Sequence, residues 1–163
     1  MSKPLPLRPR IFHAPNERYM IVVGEYNKEF TDALVEHASA ALYEKDPQPV
    51  VELITVPGAF EIPLVVQMIA SRKEHAAIVA LGVILRGETA HADLIATTLT
   101  ASLQKISLDH EVPVIHEVLL LDNEEQARAR CMGEELNRGR EAGKAALEMA
   151  RITSSLKERK EHH

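Results

Sequence analysis

The stretch Ala76–Leu85, AAIVALGVIL, is an unbroken apolar run. A strand with one solvated face alternates apolar and polar side chains. This one does not alternate, so both of its faces are expected to be buried. It is also too short to cross a bilayer, and Arg86 follows at once. A strand buried on both faces requires a parallel sheet with helices on either side. The rest of the chain supplies those parts. Tyr19–Gly24 (YMIVVG), Val50–Val56 and Val114–Leu121 read as three further strands. Between them lie segments of helical period. Asn27–Tyr43 repeats Phe30, Leu34, Ala38, Ala41 and Leu42 on one face. Ala59–Arg72 is a second helix. His91–His110 is a third, with Leu94, Ile95, Leu99, Leu103 and Ile106 as its apolar face. A short helix begins at Asn123, and an alanine-rich one covers Arg138–Ser154. The predicted fold is α/β: a three-layer α/β/α sandwich on a four-stranded parallel sheet, flavodoxin-like in outline.

With 163 residues the chain can build one domain with a sizeable core, expected over 18–156. Prolines at 4, 6, 9 and 15 predict an extended N-terminal arm over 1–17, and KERKEHH at 157–163 a charged tail. The formal charge is −5, and no basic stripe interleaved with aromatics is present. Nucleic acid is therefore not an expected partner. No apolar run suits a membrane, and MSKPLPLRPR lacks the apolar core of a signal peptide. A single cysteine, Cys131, excludes an internal disulfide and a cysteine-cluster metal site, and it fits a cytoplasmic setting.

In open parallel sheets, ligands bind beyond the carboxyl ends of the strands. Four loops should meet there: Gly24 to Asn27, Val56 to Ala59, Arg86 to Thr89, and the residues around Leu121 and Asp122. The third, in GVILRGETAHAD (82–93), leaves a strand through a glycine and enters a helix. Gly87, Glu88 and Thr89 could offer backbone N–H groups and a hydroxyl to an anion at the helix N-terminus. A plain strand-to-helix turn with Thr89 as its cap has the same pattern. His91 falls in the first turn, where the helix dipole disfavours the imidazolium. A neutral imidazole there can shuttle protons, although a simple surface histidine also fits. Asp93 could orient it or could complement the dipole. His-Ala-Asp lacks a third ligand at any diagnostic spacing, so no metal is expected. In VPGAFEIP (56–63), Glu61 sits at a helix start, suited to polyol hydroxyls or to simple capping. Tyr26 and Asn27 offer a flat ring and an amide, which suit a heterocycle. Arg130 and Arg138 could pair with a phosphate or stay solvated. Neither a Walker pattern nor GxGxxG follows the first strand.

Taken in order, IVVGEYN, VPGAFEIP, GVILRGETAHAD, VPVIHEVL and EQARAR followed by NRG resemble the 6,7-dimethyl-8-ribityllumazine synthase family of riboflavin biosynthesis, over about residues 19–152. The resemblance implies a transferase that condenses 5-amino-6-(D-ribitylamino)uracil with 3,4-dihydroxy-2-butanone 4-phosphate, releasing phosphate and water, with no metal or organic cofactor. It implies that Tyr26 stacks on the pyrimidine and that Asn27 shapes that pocket. Ala59, Phe60 and Glu61 would hold the ribityl chain and ring edge, and Val83 and Ile84 would offer backbone contacts. Gly87, Glu88 and Thr89 would line the phosphate side, Arg130 would pair with the phosphate, and His91 would transfer protons. Arg138 falls where the family carries a lysine. The family's site lies between neighbours in a ring of five, so the resemblance implies a homopentamer. The 60-subunit shell of some members is left open, as is riboflavin synthase as a protein partner.

The chain departs from the family pattern at several places. His116 stands where an aromatic often covers the pyrimidine, and Glu117 replaces a small residue beside it. Leu120 and Leu121 replace threonines, and Glu134 stands where a basic residue is common near the phosphate. These changes bear on substrate affinity more than on fold. They motivate the alternative of a non-catalytic flavin- or lumazine-binding relative.

Overall fold

The structure, a computed structural model, describes residues 16–87 and 90–161. The predicted N-terminal arm up to Pro15, together with Glu88 and Thr89, lies outside the described residues. Four strands, β1 (Arg18–Gly24), β2 (Val50–Val56), β3 (Ala77–Leu85) and β4 (Val114–Leu121), form one parallel sheet in the order β2-β1-β3-β4. The helices are α1 (Lys28–Tyr43), α2 (Ile62–Arg72), α3 (His91–His110), α4 (Glu124–Met132) and α5 (Arg138–Glu161). This is the expected flavodoxin-like three-layer sandwich.

Two cores explain why the strands lack polar alternation. On one face, Tyr19, Ile21, Val79 and Leu81 pack against Leu34, Ala38 and Leu42 of α1 and against Ala142, Ala146 and Ala150 of α5. On the other, Met20, Val22, Ile78 and Ala80 pack against Ile62, Val66 and Ile69 of α2 and Leu99, Leu103 and Ile106 of α3. The helices α1 and α5 approach closely because small residues face each other. A Cβ on Gly143 would lie 2.7 Å from both the Ala38 carbonyl oxygen and the Ala41 Cβ. Cys131 is fully buried, and burial pushes its thiol up to about 11, so it is packing rather than a nucleophile.

Some boundaries differ from the expected ones. The predicted helix from Ala59 opens as a 3₁₀ turn over Ala59–Glu61 and becomes α-helical at Ile62, with Pro63 in its first turn. α5 continues through the charged residues to Glu161, past the expected Ser154. Lysine, arginine and glutamate are good helix formers and prolong a helix without an apolar stripe. α4 starts as expected: the Asn123 side chain accepts from the Gln126 N–H at 2.9 Å.

Candidate functional site

The strand order reverses between β1 and β3, and a cleft of about 880 Å³ opens at the carboxyl ends of the strands there. Two loops, the end of β3 and one helix build it. Tyr26 and Asn27 follow β1, Gly58 to Glu61 follow β2, and Val83 to Leu85 end β3. His91, Leu94, Ile95 and Thr98 come from α3.

Each wall has a local cause. Asn27 sits in the left-handed region at φ 61°, a conformation asparagine tolerates better than most residues, and it caps α1 through its backbone. Its side-chain Nδ2 donates to the Val83 carbonyl at 2.8 Å, tying the loop after β1 to the end of β3. Gly58 is extended at φ −147°, so backbone freedom does not demand a glycine there. Space does, since a Cβ on Gly58 would lie 2.7 Å from Tyr26 Cε2 and 3.1 Å from Glu61 Oε2. The bare backbone lets the tyrosine ring and the glutamate carboxylate converge. Tyr26 is 71% exposed and Phe60 64%, so two aromatic rings stand open at the rim.

Tyr26, Asn27, Ala59, Phe60, Glu61, Val83, Ile84 and His91 thus share one cleft. Two assignments change. Leu94 and Ile95, expected in the core face of α3, line the cleft instead, and Leu94 is 66% exposed. In these first turns Ala92 is buried while Leu94 and Ile95 face the opening. The N-cap of α3 is Ala90, which has no side-chain acceptor, rather than Thr89, which lies outside the described residues with Glu88. Gly87 is exposed, its φ is not positive, and a Cβ there would meet none of the described residues within 4 Å.

Asp93 pairs with Arg86 at 3.3 Å. Arg86 also binds Asp122 at 2.6 Å and holds that carboxyl below the usual range. Three further predicted residues lie away from this cleft. His116 is on β4, where its Nε2 meets Thr100 Oγ1 at 2.8 Å and its Nδ1 accepts from the Val118 N–H at 3.1 Å. Burial holds its imidazole below its ordinary value. Arg130 lies near the end of α4, its guanidinium 3.4 Å from the Gln126 carbonyl oxygen. Arg138 opens α5 and pairs with Glu141 at 3.0 Å. Burial raises the neighbouring Glu117 carboxyl, and Arg138 partly offsets that. Glu134 is exposed. Sequence reasoning did not single out Gly58 or Thr98 for the cleft. The Pro-Gly turn signal pointed to the first, and nothing in the pattern of α3 marked the second. Among the described residues no group of three or more His, Cys, Asp or Glu side chains could hold a metal ion, and no helix is long and apolar enough to cross a membrane.

A doubly wound parallel sheet with an open, aromatic-rimmed cleft at its switch point defines an α/β enzyme that handles a small molecule at that edge. Residues 16–154 match the family 6,7-dimethyl-8-ribityllumazine synthase. Two similar proteins, from Stenotrophomonas maltophilia strains R551-3 and K279a, both carry the name 6,7-dimethyl-8-ribityllumazine synthase. Each is 38% identical over 140 residues, covering 85% of this chain and 90% of the relative. The chain belongs to the 6,7-dimethyl-8-ribityllumazine synthase family, transferases of riboflavin biosynthesis.

Proposed function

We propose that the protein condenses 5-amino-6-(D-ribitylamino)uracil with 3,4-dihydroxy-2-butanone 4-phosphate to 6,7-dimethyl-8-ribityllumazine, and that it works as a homopentamer. The observation that carries this reading is the convergence in one cleft of an aromatic ring, Tyr26, a carboxylate, Glu61, and a helix-terminal histidine, His91. The pyrimidine lies against Tyr26, and its polar edge reads the backbone of Val83 and Ile84 at the end of β3. Asn27 holds that edge in place through its bond to the Val83 carbonyl. Ala59, Phe60 and Glu61 bind the ribityl chain. The phosphate of the second substrate binds by Gly87 at the N-terminus of α3.

The chemistry needs proton movement more than a strong nucleophile. The aromatic amine adds to the ketone, water leaves and an imine forms. Phosphate is then eliminated, the ribityl-bearing nitrogen closes on the new carbonyl, and a second water departs. His91, beside the anion site, gives and takes the protons of imine formation and phosphate loss. Donors on the leaving phosphate stabilise charge as it develops.

Arg130, Arg138 and His116 lie outside the cleft of their own chain, and the pentamer gives them a place. A ring brings these residues of one subunit to the open cleft of the next, where Arg130 binds the phosphate and His116 lies over the pyrimidine. The exposed rims at Tyr26, Phe60 and Leu94 support such a covered site. The test is turnover: purified protein with both substrates, the product followed by absorbance against a protein-free control, and mass in solution by light scattering. A rate above background from a species of five subunits supports the proposal. A stable monomer, or a pentamer that binds riboflavin without turnover, overturns it, and the latter favours a flavin-binding relative.

A further inference from the structure

Outside the cleft lining, one side chain joins the start of α3 to the loop after β4. Arg86 is the first residue after β3, and its N–H donates to the Leu121 carbonyl at 2.8 Å. Its guanidinium spreads over two carboxylates from different elements. Nε and one terminal nitrogen lie 3.4 and 3.3 Å from Asp93 Oδ1 in the first turn of α3, and the other terminal nitrogen lies 2.6 Å from Asp122 Oδ1 after β4. Asp122 is itself built into the start of α4: its N–H donates to Gln126 Oε1 at 2.9 Å, and Gln126 Nε2 reaches Asp122 Oδ2 at 3.4 Å. The planar, multi-donor geometry suits arginine, since an ammonium is a point donor and cannot span two carboxylates with fixed directions.

We infer that Arg86 is a positioning residue, a clamp that sets the first turn of α3, and so His91, against the β4–α4 loop. The inference rests on the reading of His91 as the proton-transfer group. All three side chains are about half exposed. Exposed ion pairs add little to global stability, so this fork is poorly placed to hold the fold together. It is well placed to fix a geometry. His91 lies two residues before Asp93 on the same turn, and Arg86 stands at the other end of the connection from β3 to α3. A rotation of that turn moves the imidazole while the sheet and both cores stay as they are. Misplacements of about 1 Å at a catalytic group can cost roughly 10²-fold in rate.

Two readouts on the full-length protein test this. The first is amide hydrogen exchange in Arg86→Ala, Arg86→Lys and Asp93→Asn. The second is steady-state kinetics with both substrates, with inorganic phosphate as a competitive probe. In Arg86→Ala, exchange over 94–98 and 121–127 rises about tenfold while β1 and α1 keep their protection. In the same variant kcat falls by about 10- to 100-fold. The KM for the butanone phosphate and the inhibition constant of inorganic phosphate hold within about twofold, because the clamp does not touch the anion. Asp93→Asn follows the same direction, and Arg86→Lys recovers part of kcat. Unchanged exchange at both segments overturns the clamp. So does a rise in KM and in the phosphate constant at constant kcat, which would make Arg86 a direct phosphate ligand. If the wild-type protein fails to turn over, the proposed reaction falls, and hydrogen exchange still decides whether Arg86 holds the two elements together.

Discussion

Gly58→Ala probes the cleft with the smallest possible change. The backbone at Gly58 is extended, so alanine adopts it without strain. The added methyl, however, would sit 2.7 Å from Tyr26 Cε2, 3.0 Å from Tyr26 Cδ2 and 3.1 Å from Glu61 Oε2. Something has to move, and the tyrosine can, because its ring is 71% exposed and belongs to no core. Swinging it away should change the unfolding free energy by no more than about 0.5 kcal/mol, as for other surface adjustments. The loss falls on the ligand. Stacking of a base on an aromatic side chain is worth about 1–3 kcal/mol. Losing it should raise the KM for the ribitylaminouracil, and the Kd of the lumazine product, by about 5- to 150-fold. Steady-state kinetics, product titration by fluorescence and thermal melts measure all three quantities. Tyr26→Ala should show the same loss, and the double variant no further loss, since both changes remove one interaction. A Gly58→Ala protein that binds product normally, or losses that add in the double variant, would refute the reasoning.

Three more outcomes follow from the packing and the titrating groups. Asn27→Ala loses the bond to the Val83 carbonyl and a residue that tolerates left-handed backbone, so it should destabilise by about 2 kcal/mol in denaturant unfolding. Asn27→Gly keeps the conformation and should cost only about half of that. Gly143→Ala raises helix propensity yet drives a methyl against the Ala38 carbonyl and Ala41, and should lower stability by about 1–3 kcal/mol, read by the same unfolding curves. His116 gives a pH signature. Burial lowers its pKa, and only a neutral ring accepts the Val118 N–H at Nδ1. The unfolded chain therefore binds the extra proton first. Stability from this site is complete above about pH 6.5 and is lost as pH falls through the lower folded value. Melting temperatures between pH 7.5 and 5 should drop more steeply for the wild-type protein than for His116→Gln.

The parts of the fold that were legible share one cause. Where helices and strands bury apolar faces against each other, hydrophobic period reveals them, and β2, α3 and β4 lie where that period places them. The loops at the strand ends were legible because topology forces them to one edge. What escaped is of two kinds. The period of α3 puts Leu94 and Ile95 on its apolar face, and no periodicity distinguishes a residue packed on the sheet from one that faces a cleft. The polar end of α5, through Lys157 to Glu161, carries no apolar stripe to announce it. Long-range pairings were also out of reach. Nothing local to Arg86 signals Asp122 as its partner, and Gly58 reads as a turn residue rather than as clearance for Tyr26.

In the proposed ring, one chain's cleft is completed by its neighbour's Arg130, and mixing subunits reveals whether it is. His91→Ala and Arg130→Ala are each expected to be nearly inactive as uniform assemblies. Denatured together in equal amounts and reassembled, they form mixed rings in which about a quarter of the sites join an intact His91 from one subunit to an intact Arg130 from the next. Lumazine formation should then return to about a quarter of the wild-type rate measured after the same treatment. Mixed rings that stay as inactive as their parents would place both groups in the site of a single chain and contradict the account.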